Sequence, residues 1–267
     1  FRSNGSSFRT VSMPTDIFSF KQFDIDQTGC AMRVGTDGVL LGAWAGEDAA
    51  GSIPQHCLDI GTGTGLIALM LAQRFPQARV QGIEIDPIAA ECARANAAAS
   101  PFSDRIVIAS GDILDSSLES LIGNQRFDLI VSNPPFFKSS LHAPDRQRTM
   151  ARHEETLPLE KLICRASELL SPQGRLALIT PRDRLKDLRL YAATYRLVSS
   201  RLTEVRTLPH KEPKRLLSEW RPADTAIDRS PFTDTLIIHP ATGYHSPEYV
   251  RLTEPFYTTS FRILAVG

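Results

Sequence analysis

The chain reads as an α/β protein built on a doubly wound, mostly parallel sheet. Three observations predict it. From residue 57 onward, short β-rich runs alternate with longer helical patterns, which places crossover helices on both faces of a parallel sheet. The first run ends in a glycine cluster, "LDIGTGTGL", at a strand-to-helix turn. After Tyr195 the alternation stops and two longer extended runs follow, predicted to complete a seven-stranded sheet as an antiparallel pair.

Each element has its own signal. The strand candidates are "CLDI" (57 to 60), "VQGIEI" (80 to 85), "IVIA" (106 to 109), "FDLIVS" (127 to 132) and "GRLALIT" (174 to 180). Helices are predicted over Leu66 to Arg74, Pro87 to Ala99, Leu157 to Leu170 and Arg182 to Thr194. Asp86 before Pro87 is an N-cap followed by proline at the first helical position, and Pro76 stops the helix before it. The final pair is "RLVSSRLTEVRTLP" and "FTDTLIIH", with a polar, basic stretch read as their connection. Ahead of the core, "FSFKQFDIDQ" alternates as a strand or hairpin, and Thr36 to Ala45 resembles a short capped helix.

The expected organisation is a leader over 1–12 with Met13 as a start, a covering extension over 13–50, a core over 51–240 and a tail over 241–267 packing on the core. The 267 residues are 42% hydrophobic and 22% charged, ordinary globular composition that buries a sizeable core. The longest purely apolar run, "LIALMLA", is far short of the roughly 20 residues that cross a bilayer, so no membrane partner is expected. Four widely spaced cysteines without histidine at ligand spacing argue against a metal site or a disulfide framework and point to a reducing cytoplasm. Thirty basic residues balance thirty acidic ones, so any nucleic-acid contact must be a local patch.

The glycine loop narrows the ligand. Gly61, Gly63 and Gly65 permit a tight turn and let a ligand approach the backbone. Leu66 stands where a dinucleotide fingerprint has its third glycine, and no G-K-[ST] follows for a phosphate loop. Glu84, at the end of the second strand with Ile85 beside it, can accept both hydroxyls of a ribose. Asp59 can reach an ammonium group, and Asp112 can accept from an exocyclic adenine amine; singly, each aspartate is also an ordinary turn or cap residue. Together with Thr62 in the loop, these residues describe S-adenosylmethionine: an amino acid, a ribose and an adenine without phosphate.

"NPPF" follows the fourth strand, at the same edge of the sheet. An amine conjugated to a ring or a carbonyl is a poor nucleophile because its lone pair is delocalised. Two acceptors, the Asn133 side-chain oxygen and the Pro134 carbonyl, can bond both of its N–H groups and aim the lone pair at the sulfonium methyl. Such positioning supplies on the order of 3 kcal/mol or more per well-placed acceptor. Phe136 offers a face on which a planar base stacks, worth ~1–3 kcal/mol.

"DIGTGTG", "IEID" and "NPPF" in this order resemble class I methyltransferases acting on amino nitrogens, whose Rossmann-like sheet has one antiparallel strand. "FSFKQFDIDQTGCAMRVGTDGVLLGAWA", "RHEETLPLEKLICRASELLSPQGRLALITP" and "PKRLLSEW" narrow the resemblance to the bacterial family that N6-methylates adenosine 37 of a valine tRNA. The resemblance runs from about Phe18 to Tyr257. It implies that Thr36, Asp37 and Gly38 close over the methionine end of the cofactor. It also implies that the basic segments face the anticodon arm, with Lys138, Arg146, Arg148 and Arg152 in one run and Lys211, Lys214 and Arg215 in the other. A solvated face is the alternative for both runs. Two other functions share the motifs: methylation of a protein glutamine amide, and cofactor-dependent RNA recognition without catalysis. The glutamine enzymes commonly carry a helical recognition domain and a tyrosine in the last loop position, where this chain has Phe136.

Overall fold

The computed structural model describes residues 16–30, 32–47, 52–115, 122–135, 157–225 and 230–263. A hairpin of β1 (Ile17–Ser19) and β2 (Asp24–Asp26) leads into α1 (Thr36–Trp44). The core then alternates β3 (His56–Ile60), α2 (Leu66–Arg74), β4 (Arg79–Glu84), α3 (Pro87–Ala99), β5 (Ile106–Ser110) and β6 (Phe127–Ser132). It continues through α4 (Leu159–Leu169), β7 (Leu170–Pro181), a 3-10 turn (Arg182–Arg184) and α5 (Leu185–Thr194). The chain ends in β8 (Leu197–Arg206), β9 (Arg215–Pro222), β10 (Phe232–Ile237) and α6 (Pro247–Thr253).

The main sheet has eight strands in the order β10-β8-β9-β7-β6-β3-β4-β5. Only β9 runs against its neighbours, antiparallel to both β7 and β8. The parallel core and the single reversed strand agree with the sequence; the strand count and the identity of the last pair do not. The stretch read as a basic connection contains β9, and β8 pairs with β10 in parallel rather than antiparallel. The reason lies in β9 itself. Leu216, Leu217 and Trp220 are buried, but Arg215, Glu219 and Arg221 interrupt them in sequence and hide the strand pattern. Glu219 is buried too, accepting a hydrogen bond from the Gly46 amide at 2.7 Å.

Period-two alternation divides the core between the two faces of the sheet. Cys57, Leu129, Val131, Ala177 and Ile179 pack with α1, α2, α3 and the N-terminal hairpin. Leu58, Ile60, Ile130, Leu176 and Leu178 pack with α4 and α5 on the other face. Helix α2 is buried continuously from Leu66 to Ala72, as expected of a helix enclosed by other elements. At Gly42 of α1, an added Cβ would lie 2.7 Å from the Met70 sulfur, so glycine allows the close crossing of α1 on α2. The Asp86 side chain caps α3 by accepting from the Ile88 amide at 2.9 Å, with Pro87 in the first turn as read from sequence.

The C-terminal residues carry an element that the sequence reading did not anticipate. Ser246 caps α6 by accepting from the Tyr249 amide at 3.1 Å, and Pro247 and Glu248 follow it in the first turn. Ser-Pro-Glu was therefore a readable start signal. Beyond α6, Tyr257 bridges to Phe20 and its ring stacks on Phe20 at 5.9 Å, joining the tail to the N-terminal hairpin. No helix among the described residues is long and apolar enough to cross a membrane.

Candidate active site

The site begins where β3 ends. Gly61 and Thr62 both donate their amides to the Ile83 carbonyl, at 2.9 and 3.0 Å, which docks the glycine loop onto the end of β4. Gly61 and Gly63 adopt φ of 70° and 57°, a left-handed backbone that glycine accommodates without strain. A Cβ built on either meets nothing within 4 Å, so this side of the loop faces open space. Gly65 differs: its Cβ would touch Ala93 at 3.4 Å, and its role is to bring α3 close to the loop.

Two adjoining cavities occupy that space. The first is lined by Gly61, Gly63, Glu84, Ile85, Asp86 and Asp112, together with Cys30, Met32, Ile60, Ile113, Asn133, Pro134, Pro135 and Leu157. The second is lined by residues of the 32–38 segment, including Thr36, Asp37 and Gly38, and by Thr62, Leu66 and Ile67. Gly61, Gly63, Thr64, Met32 and Asn133 border both. The structure thus gathers the glycine loop, both strand-end carboxylates, the Thr36–Gly38 turn and the proline loop around one space. Cys30, Met32, Ile113 and Leu157 were not anticipated, since single apolar side chains give no motif.

Glu84 is fixed by its two oxygens. One accepts the Gly63 amide at 2.8 Å and the other the Asp86 amide at 3.0 Å. Each carboxylate oxygen retains a further acceptor position, which is what two ribose hydroxyls require. Asp112 closes a local turn by accepting from the Leu114 amide at 2.9 Å while still lining the first cavity. Among the described residues no lysine or arginine lines this cavity, whereas three carboxylates do. A phosphorylated nucleotide is disfavoured there on electrostatic grounds.

Asp59 is placed differently from the expectation. It lies on the α2 side of β3, fully buried, and accepts from the Thr62 hydroxyl at 2.6 Å and the Ala68 amide at 3.2 Å. It borders neither cavity, so the structure makes it a support of the glycine loop rather than a group open to a ligand's ammonium. Burial pushes its carboxyl up to about 7, opposed by the two hydrogen bonds and reinforced by nearby Glu84. Its other oxygen has no hydrogen-bond partner among the described residues. Cys30 does border the first cavity, but burial and neighbouring Cys92 push its thiol up to about 12. A thiol so hard to ionise is a poor nucleophile.

Asn133 stands at the junction of the cavities. It follows Ser132, whose hydroxyl donates to the Ile60 carbonyl at 2.8 Å and so ties the end of β6 to the end of β3. Among the described residues no hydrogen bond engages the Asn133 carboxamide, which leaves its oxygen available to a ligand. Pro134 is buried and Pro135 half-buried, holding the loop in place behind it. Phe136 lies outside the described residues, as do Lys138, Arg146, Arg148 and Arg152.

The second basic run is sorted by the strand register. Arg196 and Arg221 lie at the edge of the sheet opposite the site, because β8 starts and β9 ends there. Arg201 stacks over the Trp44 ring at 4.3 Å and pairs with Glu47 at 3.3 Å. Arg215 donates to Asp37 at 2.7 Å. Lys211 and Lys214 are exposed at the edge that carries the site and make no ion pair among the described residues. Of the three residues expected to meet RNA here, Arg215 is thus paired within the protein, whereas Lys211 and Lys214 are exposed. Among the described residues no group of three or more His, Cys, Asp and Glu side chains is arranged to hold a metal ion.

Comparison with known proteins places this geometry in a family. The family model described as methyltransferase small domain matches residues 47–187. A tRNA1(Val) (adenine(37)-N6)-methyltransferase of Porphyromonas gingivalis (strain W83) is 99% identical over 255 residues, 96% of this chain and all of that one. The protein of the same name from Phocaeicola vulgatus is 45% identical over 92% of this chain and 99% of its own. Among solved structures, a predicted O-methyltransferase of Agrobacterium tumefaciens superposes with a TM-score of 0.63 at 22% identity, covering 82% of this chain and 96% of that one, which bears on fold alone. These likenesses set aside both the protein-glutamine enzymes and the non-catalytic binders. The chain belongs to the tRNA1(Val) (adenine(37)-N6)-methyltransferase family of class I, S-adenosylmethionine-dependent methyltransferases.

Proposed function

We propose that the chain methylates the exocyclic amine of adenosine 37 in a valine tRNA, with Asn133 and Pro134 holding that amine at the junction of the two cavities. The supporting observation is the Asn133 carboxamide, unengaged among the described residues, beside the glycine loop and Glu84.

The residues present fit the cofactor. Open space beside Gly61 and Gly63, a first cavity lined among the described residues by carboxylates and no cation, and a Glu84 with acceptor capacity left on both oxygens suit a cationic nucleoside without phosphate. Glu84 would take the ribose, Asp112 and Ile85 the adenine, and the turn of Thr36, Asp37 and Gly38 with Thr62 the amino-acid end. When bound, S-adenosylmethionine supplies an electrophilic methyl group. Asn133 Oδ1 and the Pro134 carbonyl accept the two N–H bonds of the target amine, drawing nitrogen out of conjugation with the ring and fixing the direction of its lone pair. Pro134 and Pro135 restrict the backbone here, which favours acceptors already oriented when positive charge develops on nitrogen. Phe136 stacks the splayed base, as enzymes that modify bases require. The anticodon arm docks along the cationic side of the same sheet edge, and the cytoplasm is where such a substrate is met.

The test is Asn133→Ala. Loss of one preorganised acceptor is expected to lower kcat by about two to three orders of magnitude, with cofactor binding retained in calorimetry. Unchanged kcat would remove Asn133 from the mechanism.

A further inference from the structure

The segment from β2 to α1 passes over the site, and its two ends are held by residues outside it. Cys30 and Met32 border the first cavity, and Met32 through Gly38 border the second. At the root of this strap stands Asn96 of α3, 4% exposed. Its Oδ1 accepts from the Asp26 amide at 2.9 Å, and its Nδ2 donates to the Asp26 carbonyl at 3.0 Å and to the Thr64 carbonyl at 2.9 Å. Asp26 ends β2, and Thr64 belongs to the glycine loop and borders both cavities. One buried amide therefore fixes the strap root relative to the loop. Within the strap, Gln27 Oε1 accepts from the Val34 amide at 2.8 Å and folds the segment back on itself. At the far end, Arg215 Nε donates to Asp37 Oδ2 at 2.7 Å, fastening the first turn of α1 to the start of β9.

We infer that Asn96 and Arg215 are positioning residues for cofactor binding: they hold the two ends of the strap, described over 27–30 and 32–38, so that Cys30 and Met32 to Gly38 border the cavities. This rests on reading the cavities as the S-adenosylmethionine site. It also moves Arg215 from the RNA-contacting set to the cofactor-covering machinery. The two anchors differ in strength. Asn96 makes three hydrogen bonds, one buried and two partly buried, of which two need its N–H donors and are lost in Asn96→Asp. The Arg215–Asp37 pair is partly exposed, at 41% and 35%, and solvent screens it.

Calorimetry with S-adenosylhomocysteine as the probe separates the possibilities, with wild-type binding as the control on the site reading itself. Wild type that fails to bind would overturn that reading. Given wild-type binding, Asn96→Asp is expected to weaken it at least tenfold and Arg215→Ala about threefold to fivefold, with cofactor KM rising more than kcat falls. In the unliganded protein, amide hydrogen exchange at Val34 is expected to accelerate in Asn96→Asp, showing a loosened strap independently of turnover. Arg215→Ala and Asp37→Asn should be non-additive in a double-mutant cycle on binding, a measurement that stands even if Asn96→Asp folds poorly. Wild-type affinity in both anchor variants would overturn the inference. So would Arg215→Ala that weakens tRNA binding while leaving cofactor affinity intact, which returns Arg215 to a phosphate contact.

Discussion

Asp59 shows how one residue can matter to a site without touching its ligand. On β3, Leu58 and Ile60 face α4 and α5, so strand alternation sends Asp59 to the α2 side, beneath the loop and away from the ammonium group it was expected to reach. There it joins Thr62 to the first turn of α2. Its folded carboxyl, at about 7 against an ordinary 3.8, binds a proton that the unfolded chain has already released. Stability from this residue is therefore fully present below pH 4 and is lost as pH rises through 7. At ~1.4 kcal/mol per pKa unit, ionised Asp59 carries a cost of several kcal/mol in the unliganded protein. Asn at this position keeps an oxygen for Thr62 and Ala68 but does not titrate. Urea unfolding of wild type and Asp59→Asn at pH 5, 6, 7 and 8 is expected to show wild type losing ground steadily to the variant. Parallel pH profiles would contradict a buried, titrating Asp59.

At the scale of elements, the legible parts were those with local punctuation. The bounds of α2 and α3 agree with sequence to the residue, because Gly65, Pro76 and the Asp86–Pro87 cap mark where helix can begin or end. Strand β9 was illegible because its buried Glu219 is compensated by groups from distant segments, the Gly46 amide and the charges of Arg175, Arg201 and Arg74. No window of sequence contains those partners. The same dependence on neighbours explains Gly82 in the middle of β4. It sits between Asp59 of β3 and Ile108 of β5, and a Cβ there would lie 2.6 Å from Ile108 Cδ1 and 3.0 Å from Thr62 Oγ1. Overpacking of this kind costs ~1–3 kcal/mol. Gly82→Ala is expected to lower Tm by several degrees, at roughly 2–4 °C per kcal/mol for a protein this size. Ile108→Val, which removes the nearer clashing atom, should recover part of the loss. Gly82→Ala with wild-type Tm would mean that β4 tolerates a side chain at this register.

For the whole molecule, one sheet edge does the work. The ends of β3, β4, β5 and β6 carry the cavities, while the start of β9 and the turn before it carry Lys211, Lys214 and Arg215 on the flank. The balanced total charge leaves no general attraction to polyanions, so the proposed function calls for a local contact surface, for which the exposed Lys211 and Lys214 on this edge are the described candidates. The motifs at the strand ends were readable because each has a local spacing. The approach of Thr36 to Gly38 was legible only through the family resemblance, and the anchoring of that segment was not legible at all, because it depends on α3, β2 and β9 meeting across the fold. The central claim is that this edge methylates one adenine amine in RNA. Methyl-labelled S-adenosylmethionine should be incubated with the enzyme and, separately, total tRNA, a valine tRNA carrying guanosine at position 37, and total protein, followed by nucleoside analysis. Label confined to N6-methyladenosine, present in total tRNA and absent from the guanosine-37 transcript and from protein, is the expected result; label in protein, in another nucleoside, or in the guanosine-37 transcript would contradict the account.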